Sequence, residues 1–349
     1  MPRSVGGLVC IFLSAVSLSW DHSGCLAEGI PVDSKCTAEK GVTSCMCGEQ
    51  RMASESPSAA TLSPELNTIR VACGNSFKFV PSNVTKVCVG PADQKTLQAC
   101  EGSKREAKAG ASSPILEFIT STPTPSPAVQ WTKPDNQPSS LSFPPSNFPF
   151  TDKDFFVGCQ SGSQFCVVPV KVSARKSVLS DNVLVCAYGA DSNEDVPAVT
   201  LNSSSNSVTV VCGSDGEMTP SRESGSAYYC KDSAADGECT ELASLSEILP
   251  GFSKDWWTAS ADYEGGARLV IPKTGFPAES KTIVLGCMAK KPSASDIEKK
   301  AEDASSIQVR PVCKVKVTLS AQTSGSPSTR FSVAMAASVG AFFGLVALS

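Results

Sequence analysis

Sixteen cysteines constrain the fold of this chain of 349 residues more than any other feature of its sequence. Thiols at this density persist as disulfides only in an oxidising compartment, so the chain is expected to pass through the secretory pathway. The length predicts two domains, because a domain typically contains about 100–200 residues. The formal net charge of −4 gives no electrostatic reason to expect nucleic-acid binding.

Residues 1–27 are predicted to be a signal peptide. Arg3 supplies a positive charge, residues 8–20 form an apolar run, and small residues precede a cleavage point after Ala27. Asp21 makes this run too short for a spanning helix, which needs about 20 apolar residues. The two cysteines of this segment would leave with it, so fourteen cysteines remain in the mature chain.

A second apolar run without charges occupies residues 331–349, and no basic flank typical of a permanent membrane span follows it. Small polar residues precede the run, which is the pattern of a removable glycosylphosphatidylinositol (GPI) signal. The candidate attachment sites are Ser324 and Ser320, with residues 321–330 as the spacer; an uncleaved tail anchor is the alternative. The predicted location is therefore the extracellular face of the plasma membrane, with the lipid anchor as the only membrane contact.

The remaining cysteines fall into two series with matching local sequence. Cys73 follows Cys47 by 26 residues, and Cys212 follows Cys186 by 26 residues. The second cysteine lies in VACG in one series and in VVCG in the other. Each series continues with Phe-Pro and a cysteine 11 residues after that phenylalanine. These shared features in the same order predict a tandem duplication.

Apolar and polar residues alternate in several short segments, of which the clearest are 207–213, 267–272, 282–287 and 314–319. Such alternation predicts half-buried strands. We therefore expect an all-β chain in which residues 28–172 and residues 173–320 each form a disulfide-stapled antiparallel β-sandwich. Helix is predicted only at 244–249 and 295–305, the second with a capping box. The proline-rich stretch 121–149 is expected to be an extended loop of polyproline character.

Together these residues resemble the SRS surface antigens of Toxoplasma and related coccidian parasites. The resemblance covers both domains and both processed ends, about residues 30–349. It is strongest in the second domain, in CAYGAD (186–191), VVCGSDG (210–216), LSEILP (245–250), Trp256-Trp257, FPAESK (276–281) and LGC (285–287).

The resemblance implies six paired cysteines in each domain. The implied pairs are Cys47–Cys166, Cys73–Cys159 and Cys88–Cys100 in the first domain, and Cys186–Cys313, Cys212–Cys287 and Cys230–Cys239 in the second. Spacing alone does not choose among the connectivities of six cysteines. Cys36 and Cys45 are left over; they can pair locally, and Cys45 can also exchange roles with Cys47.

The mature chain offers no usual catalytic set of residues. Its only histidine, His22, lies in the predicted signal peptide, which excludes Ser-His-Asp and Cys-His catalysis and histidine-containing zinc sites in their usual forms. Cys45-Met46-Cys47 has the spacing of metal ligands, but an oxidising compartment favours disulfides. The carboxylate pairs Glu194-Asp195 and Glu302-Asp303 are interpreted as solvated loops; a two-carboxylate glycosidase is retained only as a remote alternative. We therefore predict a protein that is not an enzyme and has no cofactor or metal.

Three groups of residues bear on ligand binding. Trp256-Trp257 is either a sugar-stacking surface or, as we favour, a core plug beside the short helix. Two N-glycosylation sequons begin at Asn83 and Asn202, both in expected loops. The first domain contains one basic cluster, interpreted as a ligand patch or a solvated loop: Lys104, Arg105 and Lys108.

The resemblance implies host-cell attachment and modulation of host immunity, with homodimers through the membrane-distal first domain in some members. Residues 28–172 contain 13 Lys and Arg against 13 Asp and Glu, and residues 173–330 contain 16 against 20. A sulfated polymer binds mainly through counterion release from a cationic surface, which these balances do not favour. We therefore expect an adhesin-like module for a host-cell surface ligand or host immune factors, other than heparan sulfate. The alternative is a structural coat or immune-decoy protein with no specific host ligand.

Overall fold

The computed structural model describes residues 30–49, 59–101, 111–120, 129–134, 137–231, 239–291 and 310–322. These residues form two compact units. The first contains the described residues up to Phe148 together with Lys153–Val172. The second contains Pro149–Asp152 together with the described residues from Ser173 onward.

The first unit contains two sheets that share one core. Its strands are β1 (Ile30–Pro31), β2 (Asp33–Glu39), β3 (Val42–Glu49), β4 (Ala60–Leu62), β5 (Thr68–Cys73), β6 (Lys78–Val80), β7 (Lys86–Cys88), β8 (Ser112–Pro114), β9 (Ser139–Ser142), β10 (Lys153–Ser161) and β11 (Gln164–Val172). One sheet has the order β1-β11-β10-β7-β8, with β4 on β11 and β6 on β10. The other has the order β2-β3-β5-β9. The helix α1 (Gln94–Glu101) and the 3-10 turns Ile115–Phe118 and Pro145–Asn147 complete its described elements.

The core of the first unit lies between the inner faces of these two sheets. Ile69 and Val71 from β5 share one buried cluster with Val157 from β10 and Val168 from β11. Successive side chains of a strand point to opposite faces, so every second residue of each strand enters this cluster. The residues between them face the other side of each sheet, where Phe156 of β10 is buried in a second, smaller cluster with Leu97 of α1.

The proline-rich stretch contributes to this core, contrary to the predicted extended loop. Its described residues include β9, which pairs antiparallel with β5, and the buried side chains of Trp131, Phe143 and Phe148. The rings of Phe143 and Phe148 meet edge to face with their centroids 5.6 Å apart. The prediction was wrong here because the aromatic residues between the prolines gain more free energy from burial than an exposed segment would allow.

The second unit repeats the two-sheet arrangement. Its strands are β12 (Val178–Ser180), β13 (Val183–Val185), β14 (Ala198–Leu201), β15 (Ser207–Val211), β16 (Gly216–Thr219), β17 (Ser226–Tyr229), β18 (Glu241–Ser244), β19 (Trp257–Ala259), β20 (Gly266–Val270), β21 (Lys281–Ala289) and β22 (Val312–Leu319). One sheet has the order β12-β13-β15-β20-β19, and the other has the order β14-β22-β21-β17-β18, with β16 on β21. The helix α2 (Leu245–Ile248) and the 3-10 turns Arg222–Ser224 and Lys254–Trp256 complete its described elements.

The predicted all-β, disulfide-stapled architecture is confirmed, and its sheets are mixed rather than purely antiparallel. Within the described strands, β3 and β5, β13 and β15, and β14 and β22 are parallel neighbours, as are β1 and β4 with β11. Parallel neighbours need a crossover connection instead of a tight hairpin turn. Alternation of apolar and polar residues reports which face is buried, and it contains no information on strand direction.

The helices show what local sequence signals could and could not indicate. Helix α2 lies inside the predicted segment 244–249, where the Ser244 hydroxyl accepts from the Ser246 N–H. Helix α1 was not predicted, although Asp93 Oδ1 accepts from the Thr96 N–H at 2.8 Å in a typical N-terminal cap. The predicted helix at 295–305 lies outside the described residues.

Candidate functional site

All fourteen cysteines of the described residues are paired in disulfides. The pairs are Cys36–Cys45, Cys47–Cys166, Cys73–Cys159, Cys88–Cys100, Cys186–Cys313, Cys212–Cys287 and Cys230–Cys239. The structure thereby assigns the three cysteines that the sequence left open. Cys36 lies directly opposite Cys45 on the paired strands β2 and β3, so their bridge is local.

Two of these bridges lie side by side at the centre of the first unit. Cys47 and Cys73 are neighbours on β3 and β5, while Cys159 and Cys166 are neighbours on β10 and β11. Because each member of one pair is bonded to a member of the other, the two sheets are joined at one point by two adjacent bridges. A bridge that closes a loop of about 100 residues stabilises by about 4–5 kcal/mol in the chain-entropy model. This framework holds the outer faces of the sheets rigidly in place.

The outer face of the sheet β2-β3-β5-β9 is rich in hydroxyl groups, and we call it the hydroxyl face. Ser44, Arg70 and Ser140 lie in one row across three strands, and the Oγ1 of Thr68 lies 2.8 Å from the Oγ of Ser142 in the next row. Among the described residues, the exposed guanidinium of Arg70 has no hydrogen-bond or ion-pair partner. The face thus presents the Arg70 guanidinium in a field of hydroxyl groups.

A shallow hollow of about 290 Å³ lies at the edge of the hydroxyl face. Its lining combines donors and acceptors of both charges: Thr37, Glu39, Lys40, Val42, Ser44 and Arg70. Two cations against one carboxylate make the hollow weakly cationic. It is much smaller than a groove that would track a sulfated polymer through many ion pairs.

The Lys133 ammonium is bonded to groups within the first unit. Its Nζ donates to the carbonyl oxygens of Pro81 and Ser82 at 2.7 and 2.8 Å and lies 4.9 Å from the centroid of the Phe79 ring. Burial lowers the pKa of the Lys133 ammonium, and the nearby Glu101 carboxylate opposes that effect. Lys133 therefore ties a loop to the core and is not available to a ligand. The predicted basic patch at Lys104, Arg105 and Lys108 lies outside the described residues.

The tandem tryptophans contribute to the core of the second unit. Trp257 is only 9% exposed and belongs to the buried cluster, and Trp256 is half-buried with its ring 5.6 Å from that of Phe252. Gly275 leaves the space that the Trp256 ring fills, since a β-carbon there would contact Cη2 of the indole. The core interpretation of this pair is therefore correct, and the two rings do not form an open stacking surface.

Both predicted sequons lie in exposed loops. Asn83 Oδ1 accepts hydrogen bonds from the N–H and the hydroxyl of Thr85 at 3.0 and 2.9 Å. Asn202 Oδ1 accepts from the N–H groups of Ser204 and Ser205 at 2.8 and 2.9 Å. Both asparagines are accessible, and glycan attachment at either of them remains a prediction.

The described residues contain no group of three or more His, Cys, Asp or Glu side chains that could hold a metal ion. Of the predicted solvated carboxylates, Glu194 lies in an exposed ion pair with Lys176 at 2.6 Å, and Glu302-Asp303 lies outside the described residues. Among the described residues, Tyr188 has the most strongly shifted titration, because burial and the Asp215 carboxylate raise its pKa. Its hydroxyl donates to the Cys212 carbonyl at 2.8 Å, which is a structural role.

The two candidate attachment sites for a lipid anchor differ in their surroundings. The N–H of Ser320 donates to the Leu201 carbonyl at 2.9 Å, so Ser320 continues the pairing of β22 with β14. Ser324 lies outside the described residues. In the part of the chain that the structure describes, no helix has the length and apolarity needed to cross a membrane.

Comparison with known proteins agrees with this architecture. A family model described as the SRS domain matches residues 41–172 and again residues 182–319. The crystal structure of the bradyzoite-specific antigen BSR4 from Toxoplasma gondii is 27% identical, covers 82% of this chain and 98% of its own, and superposes with a TM-score of 0.58. SporoSAG from the same organism is 17% identical and covers 81% of this chain and 97% of its own, with a TM-score of 0.26. No curated protein sequence matches the chain.

The fold and its bridges define the class of protein: two tandem β-sandwiches, each stapled by disulfides. The family model matches well over half of the chain, once for each domain. The chain belongs to the SRS family of parasite surface antigens.

Proposed function

We propose that this antigen is held on the extracellular face of the plasma membrane by a GPI anchor and acts as an adhesin-like module in host-cell attachment and immune modulation. In this proposal residues 1–27 are removed as a signal peptide and residues 331–349 as the GPI signal. Ser324 is preferred over Ser320 as the attachment site, because the Ser320 N–H is bonded to the Leu201 carbonyl directly after β22 and this bond would have to break for Ser320 to reach the transamidase. The domains are those of residues 28–172 and 173–320.

The hydroxyl face is the observation that carries the adhesin proposal. It consists of outward side chains of a sheet that two adjacent disulfides lock to its partner sheet, so its rows keep their positions without help from a ligand. Pre-organised groups lose little entropy on binding, which favours recognition by even a small polar surface. Met46, which is 56% exposed beside Lys35 in the next row, adds an apolar contact of the kind found at interfaces. We propose a host-cell surface ligand or a host immune factor as the partner, and a homodimer through the same domain as a further use of this face.

A coat or immune-decoy role is the second candidate, and the exposed sequons favour it. A glycan on Asn83 and another on Asn202 would extend from exposed loops, one in each unit, and cover the nearby protein surface. A shield of this kind needs stable, accessible loops and no ligand.

Binding of the purified, disulfide-intact protein to host cells separates the two roles. An adhesin gives saturable binding, and Arg70→Ala should weaken it by at least about threefold because it removes the cation at the centre of the hydroxyl row. Arg268→Ala is the control, since Arg268 is an exposed strand arginine of the second unit whose guanidinium donates to the Ser207 hydroxyl. Binding that does not saturate, or that both variants reduce equally, would contradict the adhesin proposal and favour the coat.

A further inference from the structure

The second unit contains an open cleft of about 640 Å³, within the range of about 300–1,000 Å³ that is usual for ligand sites. Three segments form its walls: residues 212–218 from the end of β15 into β16, residues 221–223 after β16, and residues 259–267 around the β19–β20 turn. Four of its lining residues are glycines, and we call it the glycine cleft: Gly213, Gly216, Gly265 and Gly266.

The glycines make the floor of this cleft from bare backbone. Gly213 has φ +64°, and a β-carbon on it would project into open space. Gly265 has φ +67° and packs on Gly213, so that a β-carbon there would lie 3.3 Å from the Gly213 carbonyl oxygen. Both conformations favour glycine strongly. Gly213 is partly exposed and Gly265 is exposed, so a ligand can approach their backbone in a way that side chains would prevent, whereas Gly216 and Gly266 are buried.

The floor of the cleft is also held in place by contacts with the core of the second unit. The Tyr188 hydroxyl donates to the Cys212 carbonyl, and Cys212 itself is bonded to Cys287. A β-carbon on Gly216 would clash with the Tyr188 hydroxyl, so only glycine at this position leaves room for the tyrosine side chain. The cleft is thus pre-formed, and a ligand would not have to pay for ordering it.

The side chains at the rim supply one aromatic ring and charges of both signs. Tyr263 is 41% exposed, which is unusual for a large apolar side chain in this chain. Neither the Glu264 carboxylate nor the Lys290 ammonium has a hydrogen-bond or ion-pair partner among the described residues. Glu223 is paired with Arg222 at 2.8 Å, and Glu217 with Arg310 at 3.0 Å.

The exposed ring and the charged groups at the rim favour some classes of ligand over others. Two of the three carboxylates are already paired, Glu223 with Arg222 and Glu217 with Arg310, which leaves one free carboxylate and one free ammonium. Neither an anionic ligand nor a strongly basic peptide therefore meets a net opposite charge. An apolar ligand finds an open lining in which polar and apolar surface are about equal, instead of an enclosed apolar pocket. Hydroxyl groups both donate and accept, so they match a mixed set of charged and backbone groups. The exposed phenol ring offers an apolar face on which the C–H face of a sugar ring can stack.

We propose that the glycine cleft is a binding site for a neutral oligosaccharide. Tyr263 stacks on a sugar ring, Glu264 and Lys290 bond its hydroxyl groups, and the floor contacts it through backbone groups. This site lies in the second unit, so it goes beyond the proposed adhesin face and does not depend on it.

The test uses the full chain, produced in secreting eukaryotic cells and purified in detergent, titrated with neutral tetrasaccharides of glucose, galactose, mannose and N-acetylglucosamine. A heparin tetrasaccharide is the anionic comparison. We expect at least one neutral probe to bind with a dissociation constant below about 1 mM, and Tyr263→Ala to weaken it by about tenfold. Glu264→Gln should weaken the same probe by about threefold. Leu242→Ala and Glu247→Gln are the matched controls, an exposed apolar residue and an exposed carboxylate elsewhere in the unit, and they should leave binding unchanged.

Each outcome decides the inference. Binding of a neutral probe that is lost in Tyr263→Ala and kept in Leu242→Ala supports it, provided that near-ultraviolet circular dichroism shows both variants to be folded. Absence of neutral binding, tighter binding of heparin, or equal effects of variant and control would overturn it. Saturable binding to host cells without any neutral-glycan binding would overturn this inference and leave the adhesin proposal standing. Binding of a neutral glycan without attachment to host cells would support this inference and contradict the adhesin proposal.

Discussion

Gly286 lies against the carbonyl oxygen of Cys313 on the neighbouring strand so closely that a β-carbon on the glycine would overlap it. Gly158 has the same relationship with Cys166 in the first unit, and Leu97 crowds it from the other side at 2.9 Å. Each glycine directly precedes a cysteine of the paired bridges, Cys287 and Cys159. The glycine is therefore part of the disulfide arrangement, because it lets the two strands approach at the point where the bridges leave them.

This contact predicts that Gly286→Ala and Gly158→Ala lower the free energy of unfolding by about 1–3 kcal/mol through overpacking. Gly74→Ala is the control, because a β-carbon there would meet its neighbours at an ordinary 3.5 Å. Denaturant unfolding of the oxidised protein measures the three variants. A loss for Gly74→Ala as large as that for Gly158→Ala would show that the close approach is not the cause.

The seven bridges are predicted to differ in their contribution according to the loop that each one closes. Cys47–Cys166 spans 119 residues and Cys36–Cys45 spans only 9. In the chain-entropy model the longer loop contributes about 2 kcal/mol more. Thermal unfolding of Cys47→Ala/Cys166→Ala and of Cys36→Ala/Cys45→Ala tests this order. Equal losses would point to an enthalpic contribution instead.

Tyr188 is predicted to give stability a dependence on alkaline pH. Burial and the Asp215 carboxylate raise its folded pKa above the usual tyrosine value of 10.0, so the contribution is fully present below pH 10 and is lost as the pH rises through the folded pKa. Tyr188→Phe removes this dependence together with the hydrogen bond to Cys212, at a cost of about 1 kcal/mol near neutral pH. Denaturant unfolding of both proteins at pH 7 and pH 11 measures the difference. A gap between them that does not shrink at the higher pH would contradict the assignment.

The proposed anchor predicts release of the protein from intact cells by a phosphatidylinositol-specific phospholipase. Mass spectrometry of the released protein without reduction should place the C-terminus at Ser324 and show two hydrogens lost for each of the seven bridges. Ser324→Leu should then block or move attachment, whereas Ser320→Leu should have a smaller effect on the site that is used. Retention on the cells with residues 331–349 present would instead indicate a membrane span.

The cysteine spacing and strand periodicity were enough to predict the sandwich class, because buried cysteines and alternating residues report directly on the core. They could not distinguish Cys36, Cys45 and Cys47, since all three lie on the same face of one strand pair and the spacing leaves their partners open. The strand β9 was not predicted, because it lies among prolines, whose local propensity favours a loop. Burial of the adjacent Phe143 outweighs that propensity. The glycine cleft could not be predicted from the sequence either. Its walls come from segments about 50 residues apart, and its floor depends on the backbone conformations of Gly213 and Gly265.

The alternation along β3 has a consequence for how such an antigen can evolve. Thr43, Cys45 and Cys47 face inward and hold the sheet, while Ser44 and Met46 face outward and touch nothing that the fold requires. Replacement of the outward residues changes what an antibody or a receptor meets, at almost no cost in stability. The cross-strand bridge at Cys45 keeps the register fixed while this happens, because a slip by one residue would exchange the two faces. The outer surface can therefore change while the scaffold stays intact. Diversification under immune pressure requires this property.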